Sequence, residues 1–245
     1  MAPGCPRHLP PQGLEVWAPV STPAQITAVL LAIAITAAIT YHLTRRHTAA
    51  YHRAAVTVAV NEARRDDLTG LDNRTGFHAA LADIVGRRHP VSVILINLDG
   101  TRAFVSRFGH RALDQLLVLT AGRLRHVASA AGGSAFRLRR DEFAVILDDR
   151  VDAADYAARL VAAVAEPTEI QLLGPSVTVT VTACAGVASF SPYADGDRRL
   201  ALIRADRAMR VAKRAGRGQT AVFDPATMRG PDATAASEAV DFGEA

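Results

Sequence analysis

Lysine is nearly absent from this 245-residue chain: Lys213 is the single lysine among 28 basic residues, the rest being arginine, set against 24 acidic ones. The net charge of +4 is mild for this length. It gives no ground for a nucleic-acid binder, which needs basic residues gathered on one face. Cysteine is equally scarce. Cys5 and Cys184 stand too far apart for a metal-ligand spacing or a disulfide framework, and a reduced compartment suits Cys184. Aromatic residues make up only 5%, but hydrophobic residues reach 49% and charged ones 21%. That balance builds a core and excludes disorder of the whole chain, and the length suits one domain with appendages.

Proline and charge are unevenly spread. Six of the twelve prolines fall within residues 1–23, which reads as a disordered lead-in. The next 20 residues, Ala24 to Leu43, carry no formal charge. As a helix they would span about 30 Å, a bilayer core, so residues 24–44 are assigned as a transmembrane helix. A buried helix of a soluble domain and a cleaved signal peptide are the competing readings. Arg45, Arg46, His47 and Arg53 follow the segment, while only Arg7 is clearly basic before it. The positive-inside rule then predicts a single-pass cell-membrane protein with its N-terminus outside and the rest cytoplasmic. Residues 45–65 read as a helical stalk. Ala54, Val58 and Asn61, or Tyr51, Ala55 and Val58, offer a short seam for a homodimer.

From residue 66 to 224 the pattern alternates. Asn73 or Thr75 caps a helix through Val85, and VSVILINL (91–98) reads as a buried strand. A helix follows over 111–128, then a hairpin of 134–138 and 142–147. A helix over 151–165, two strands over 168–173 and 176–189, a helix over 200–215 and a strand over 219–223 complete the set. The core order, β-α-β-β-α-β, is the split βαβ arrangement, an α+β ferredoxin-like or cyclase-palm domain with a mostly antiparallel sheet. Residues 225–245 read as an acidic, disordered tail.

Chemistry is sought where acids meet a common sheet edge. The hairpin turn presents Asp141 and Glu142, and the buried strand ends in Asn97-Leu98-Asp99. Neighbouring strands that offer acids together are how a palm holds Mg2+ for nucleotidyl transfer. A solvated, charged turn is the competing reading.

Four blocks carry a resemblance. They are Asp66-Asp67-Leu68-Thr69-Gly70-Leu71-Asp72-Asn73-Arg74; Phe108-Gly109-His110-Arg111-Ala112-Leu113-Asp114; Arg137-Leu138-Arg139-Arg140-Asp141-Glu142-Phe143; and Ala205-Asp206-Arg207-Ala208-Met209 with Ala212-Lys213-Arg214-Ala215-Gly216-Arg217. In order and spacing they resemble the GGDEF family of diguanylate cyclases, which joins two GTP molecules into cyclic di-GMP across an antiparallel pair of protomers. The resemblance implies Asp141 as a metal ligand beside Asn97 and the Leu98 carbonyl. It implies Glu142 as the catalytic residue assisting the attacking 3′-hydroxyl or holding a second metal, and Asp114 as the reader of guanine. Lys213 and Arg217, four residues apart, would grip the triphosphate from one helical face.

The departures from the family pattern are equally specific. Arg139 and Arg140 replace the two glycines of the signature turn, adding Cβ atoms and long side chains where the nucleotide would lie. Asn97 replaces an aspartate, Val105 the guanine-reading asparagine, Leu113 a glycine, and Thr101-Arg102 the F-K pair. Asp99 as a substitute metal ligand, and Arg139 and Arg140 as phosphate contacts, are possible rescues. The R-x-x-D product-inhibition site would fall on Ala130 and Gly133, so none is expected. No phosphodiesterase domain is expected after the tail. The resulting expectation is a membrane-anchored, catalytically impaired, degenerate GGDEF protein of cyclic di-GMP signalling that acts as a GTP-binding or a regulatory or interaction module. An active cyclase and a ligand-free structural dimerisation domain are the alternatives.

Overall fold

A run of eight residues at the heart of the chain, six of them aliphatic, fixes the architecture around it. In the computed structural model, which describes residues 22–86, 89–172, 174–195 and 197–228, that run is strand β1 (Val91–Leu98), buried at every position. A strand buried on both faces must be central, with helices above and below. The sequence expectations for the lead-in and the acidic tail fall on residues 1–21 and 229–245, outside the described residues, apart from their inner edges.

The chain divides into two compact units, Met1–Ala59 and Val60–Ala245. Helix α1 (Pro23–Glu62) fills the described part of the first. Its start is a reciprocal cap: the Gln25 N–H donates to Thr22 Oγ1 at 3.4 Å, and the Thr22 N–H donates to Gln25 Oε1 at 3.3 Å. Pro23 sits at the first helical position, where its missing N–H costs nothing. Within α1, Pro23–Arg46 is long and apolar enough to cross a membrane, with a mean hydropathy of 2.0. The side chains of the dimer seam expected over 51–61 lie outside the described residues.

In the second unit the elements run α2 (Arg74–Gly86), β1, α3 (Thr101–Phe108), α4 (His110–Ala130), β2 (Ser134–Arg139), β3 (Glu142–Asp148), α5 (Ala153–Val164), β4 (Thr168–Gln171), β5 (Ser176–Val179), β6 (Ala183–Phe190), α6 (Arg199–Ala215) and β7 (Thr220–Val222). The main sheet has the order β2-β3-β1-β6-β7; β1 pairs antiparallel with β3 and β6, and β7 adds parallel to β6. The first four strands reproduce the split βαβ order, so the sheet is mixed only at its last edge.

Side chains alternate across β1. Ile94, Ile96 and Leu98 join Phe143, Val145 and Leu147 against α3, α4 and α5, where Phe104, Leu116, Leu124 and Leu160 are buried. Val91, Val93 and Leu95 join Phe136 and Ile146 on the opposite face against Phe77 and Leu81 of α2 and Met209 of α6. Gly186 of β6 lies directly beneath α6: a Cβ there would collide with the Ala205 carbonyl and the Met209 amide. Helix and strand thus touch backbone to backbone, which sets the height at which α6 crosses the sheet.

Two sequence expectations are corrected. The single strand expected over 176–189 is two strands in different sheets, β5 pairing only with β4 and β6 entering the main sheet. Period-two alternation runs through β5 and across the break, with Val177, Val179, Val181 and Ala183 in phase, so it carries no signal at 180–182, and only within β6 does it give way to burial at nearly every position. Helix α3 was not anticipated. Gly100, at φ +72°, turns the chain out of β1, and only Phe104 of the short helix is buried.

Candidate functional site

The candidate site lies at the end of β1 where three backbone segments converge. The Leu98 N–H donates to the Asp141 carbonyl at 3.1 Å, extending the β1–β3 ladder to the hairpin turn, and the Asp99 N–H donates to the Thr182 carbonyl at 2.8 Å on the other side. In register, Asn97 lies opposite Glu142 on one neighbour and Cys184 on the other. The expected metal-site residues are therefore brought together by sheet pairing.

The hairpin turn is held from outside by a relay that begins in the first sequence block. Asp66 Oδ1 accepts from the Thr69 amide at 2.9 Å, the Thr69 hydroxyl at 2.6 Å and Arg137 Nη1 at 2.9 Å. Arg137 in turn donates through Nη2 to the Arg140 carbonyl at 2.7 Å and through Nε at 3.2 Å. Burial opposes ionisation of Asp66, but the bonds from Thr69 and Arg137 outweigh it and hold the carboxyl below its ordinary range. A bulge between Arg137 and Arg139 leaves Arg139 opposite Glu142.

Within the site, Lys213 Nζ donates to Asn97 Oδ1 at 2.7 Å. Asn97 Nδ2 faces Glu142 Oε1 at 3.4 Å, and Arg139 Nε donates to Glu142 Oε2 at 3.3 Å. Asp141 Oδ2 accepts the Thr101 hydroxyl at 2.6 Å. Sequence reading overlooked Thr101 as anything but a departure. Its place at the first position of α3, one residue past the turning glycine, aims its hydroxyl at the hairpin.

Asp99 stands apart from this group. Asp99 keeps to the face of Asn97, since it bonds Cys184, the residue paired with Asn97 across the sheet, but it is engaged by the β6 side and by the loop after α6. Its Oδ2 accepts from the Thr182 hydroxyl at 2.8 Å and the Gly218 amide at 3.1 Å, and its Oδ1 accepts from Cys184 Sγ at 3.4 Å. Arg217 likewise departs from expectation. α6 closes at Ala215 with Gly216 at φ +135°, so Arg217 lies on a loop and shares no helical face with Lys213. Its guanidinium nevertheless reaches the site: Nη2 is 4.0 Å from where a Gly100 Cβ would lie, at the start of α3. That helix has no side-chain cap, so its first amides and Arg217 present positive charge to one place.

Asp114 is exposed on the first turns of α4, with Leu113 beside it packed into the core. Val105 is half-buried on α3. Arg139 and Arg140 are both exposed, and Arg139 turns to Glu142. At Gly133, where the resemblance would end the product-inhibition motif, a side chain would run into Leu147 and lie 2.6 Å from the Ile146 carbonyl.

The donor set of Asp141, Glu142, Asn97 Oδ1 and the Leu98 carbonyl is all hard oxygen and fits Mg2+ in kind. In charge it is lean. Among the described residues no three His, Cys, Asp or Glu side chains converge, and Lys213 and Arg139 already bond the Asn97 and Glu142 oxygens.

A family model described as "Diguanylate cyclase, GGDEF domain" matches residues 63–219. The chain is 37% identical over 166 residues to the 19.3 kDa protein in the repSA 5′ region of Streptomyces ambofaciens, covering 67% of this chain and 86% of that one. It is 34% identical over 165 residues to the diguanylate cyclase TpbB of Pseudomonas aeruginosa, covering 64% of this chain and only 37% of TpbB. The solved GGDEF domain of TpbB superposes with a TM-score of 0.57 at 32% identity, covering 65% of this chain and 94% of that one. The GGDEF domain of DgcB from Caulobacter crescentus, solved with c-di-GMP, shares the fold at 24% identity and a TM-score of 0.58, covering 66% of this chain and 94% of that one.

Proposed function

The chain belongs to the GGDEF family of diguanylate cyclase domains, and on that premise we propose that it is a membrane-anchored, guanine-nucleotide-binding regulator in cyclic di-GMP signalling whose own turnover is impaired. One observation carries this reading: the Lys213 ammonium sits 2.7 Å from Asn97 Oδ1, so a side-chain cation occupies the oxygen that the family pattern would offer to a metal. Arg139 adds a second cation on Glu142. A divalent ion must displace both while meeting one carboxylate fewer than the family pattern supplies. Mg2+, when bound to Asp141, Glu142, Asn97 and the Leu98 carbonyl, would neutralise phosphate charge and activate the 3′-hydroxyl.

Nucleotide binding retains more of its parts. Arg217 and the open start of α3 favour a polyphosphate, Lys213 is within reach of the same edge, and Asp114 is free to meet a base. In the family arrangement each GTP belongs to one protomer of an antiparallel pair, so the working unit is a homodimer. A second reading, an active cyclase, is favoured by Asp141 and Glu142, both kept at the sheet edge and ordered by Thr101 and Asn97.

Full-length protein in detergent micelles, given GTP and Mg2+, separates these readings. The expected result is GTP binding without cyclic di-GMP above the level of Glu142→Ala, and about tenfold weaker GTP binding in Lys213→Ala. Turnover that Glu142→Ala abolishes would establish the active cyclase. No binding of GTP at all would leave a structural dimerisation domain.

For the membrane assignment, the threonines of α1 give support beyond composition. Thr36, Thr40 and Thr44 each return their hydroxyl to the carbonyl four residues earlier, at 2.9, 2.7 and 2.7 Å. Hydroxyls satisfied within the helix tolerate hydrocarbon. The protein is expected to resist alkaline extraction from membranes. A reporter fused after residue 50 is expected in the cytoplasm, and its appearance outside would reverse the orientation.

A further inference from the structure

The segment that carries Arg217 has no regular structure of its own: it lies between the end of α6 and the start of β7, bounded by Gly216 at φ +135° and Gly218 at φ +69°. Glycines on both sides leave the backbone many alternatives, so an arginine placed there needs external restraint to point anywhere in particular. Two side chains from the sheet provide it. Cys184 Sγ donates to the Gly216 carbonyl at 3.2 Å, and the Gly218 N–H donates to Asp99 Oδ2 at 3.1 Å. The residue before Arg217 and the residue after it are both held.

The two holding groups are themselves joined. Cys184 also lies 3.4 Å from Asp99 Oδ1, so its one thiol proton is shared between Asp99 and the Gly216 carbonyl. Cys184 is fully buried, and Thr182 fixes Asp99 from a third direction through its hydroxyl at 2.8 Å. Burial first, and then the adjacent Asp99 carboxylate, push the Cys184 thiol above its ordinary range, which keeps the proton that makes it a donor. The Arg217 guanidinium then comes to rest beside Gly100, immediately after Asp99. One acidic residue at the end of β1 therefore anchors the loop whose arginine lies against the next residue along.

We propose that Asp99 and Cys184 are positioning residues for nucleotide recognition: they clamp the Gly216–Gly218 backbone so that Arg217 meets the triphosphate at the start of α3. This rests on the nucleotide-binding reading above. It assigns Asp99 a place in phosphate recognition without contact to either metal or phosphate.

The test is a double-mutant cycle on the full-length protein in micelles, with GTP and GMP as the titrated ligands. Arg217→Ala and Asp99→Ala are each expected to weaken GTP binding about tenfold and GMP binding less than about twofold, and the double variant to weaken GTP no further. Additive losses, or an Asp99→Ala variant with unchanged GTP affinity, would overturn the clamp. Arg217→Ala with unchanged GTP affinity would overturn the clamp by a different route, because the nucleotide reading itself would fail. Should Asp99→Ala not fold, Cys184 carries the same test. Cys184→Ser keeps a donor and is expected to retain the GTP-to-GMP affinity ratio. Cys184→Ala loses the donor and is expected to reduce that ratio, and an unchanged ratio there would overturn the clamp.

Discussion

Lys213 and Asn97 stand 116 residues apart in the chain and 2.7 Å apart in space, ammonium to amide oxygen. The only lysine of the chain thus closes onto the one position of the strand end where a carboxylate has become an amide. Asn97 is buried, so its oxygen has little water to fall back on and Lys213 satisfies it.

Restoring the carboxylate should change this pair from a hydrogen bond to a contest between two cations. Asn97→Asp adds a negative charge beside Asp141 and Glu142. Titration with Mn2+ is expected to show about tenfold tighter metal binding, a gain of about 1.4 kcal/mol. Unchanged affinity would mean that Lys213 neutralises the new charge completely.

The signature turn gives a second prediction. Arg139 is exposed and engages Glu142 at 3.3 Å. The combined variant Arg139→Gly, Arg140→Gly and Asn97→Asp frees Glu142 and clears the two side chains. Cyclic di-GMP formation, followed by chromatography, is expected to rise at least about tenfold over the unaltered protein. The relay from Asp66 through Arg137 to the Arg140 backbone survives in this variant, because it uses a carbonyl.

Asp66→Asn tests that relay. The ion pair to Arg137 is largely shielded, with side-chain exposures of 11% and 23%. Its loss is expected to cost about 2 kcal/mol at neutral pH. The folded-state pKa of Asp66 is depressed below 3.8, so its contribution is complete above that value and fades as pH falls through the folded pKa. Urea unfolding at a series of pH values should show the gap between the two proteins narrowing below about pH 4. A gap that stays constant into acid would remove the carboxylate as its source.

Gly186→Ala addresses the placement of α6. The added methyl meets the Ala205 carbonyl and the Met209 amide, both backbone groups that cannot turn aside. Destabilisation of about 2–3 kcal/mol is expected by thermal unfolding. Weakened GTP binding should accompany it, since α6 carries Lys213. A neutral effect would show that the helix can slide along the strand.

Much of the second unit is legible from local pattern. β1 is legible to the residue, because eight buried positions in a row have few other homes, and of the two caps the sequence offers, Asn73 and Thr75, the fold uses Asn73, its Oδ1 accepting the Gly76 amide at 3.1 Å. The break between β5 and β6 was not legible, since alternation persists across it. Helix α3 is hard to read because it is only eight residues long: its apolar stripe, Phe104 and Phe108 with their rings 5.0 Å apart, covers barely two turns.

The sequence by itself determined the family, the order of strands and helices in the main sheet, and the presence of Asp141, Glu142, Lys213 and Arg217 in the right blocks. Those are matters of residue identity and short-range period. Tertiary structure decided what each group faces: Lys213 on Asn97, Arg139 on Glu142, Asp99 bonded to Thr182, Cys184 and Gly218, and Arg217 on a loop past the end of its helix. No spacing rule encodes these partners, because each contact joins segments brought together only by strand pairing and by the backbone contact between β6 and α6. The lone lysine marked the site; the fold decided that it meets an amide there.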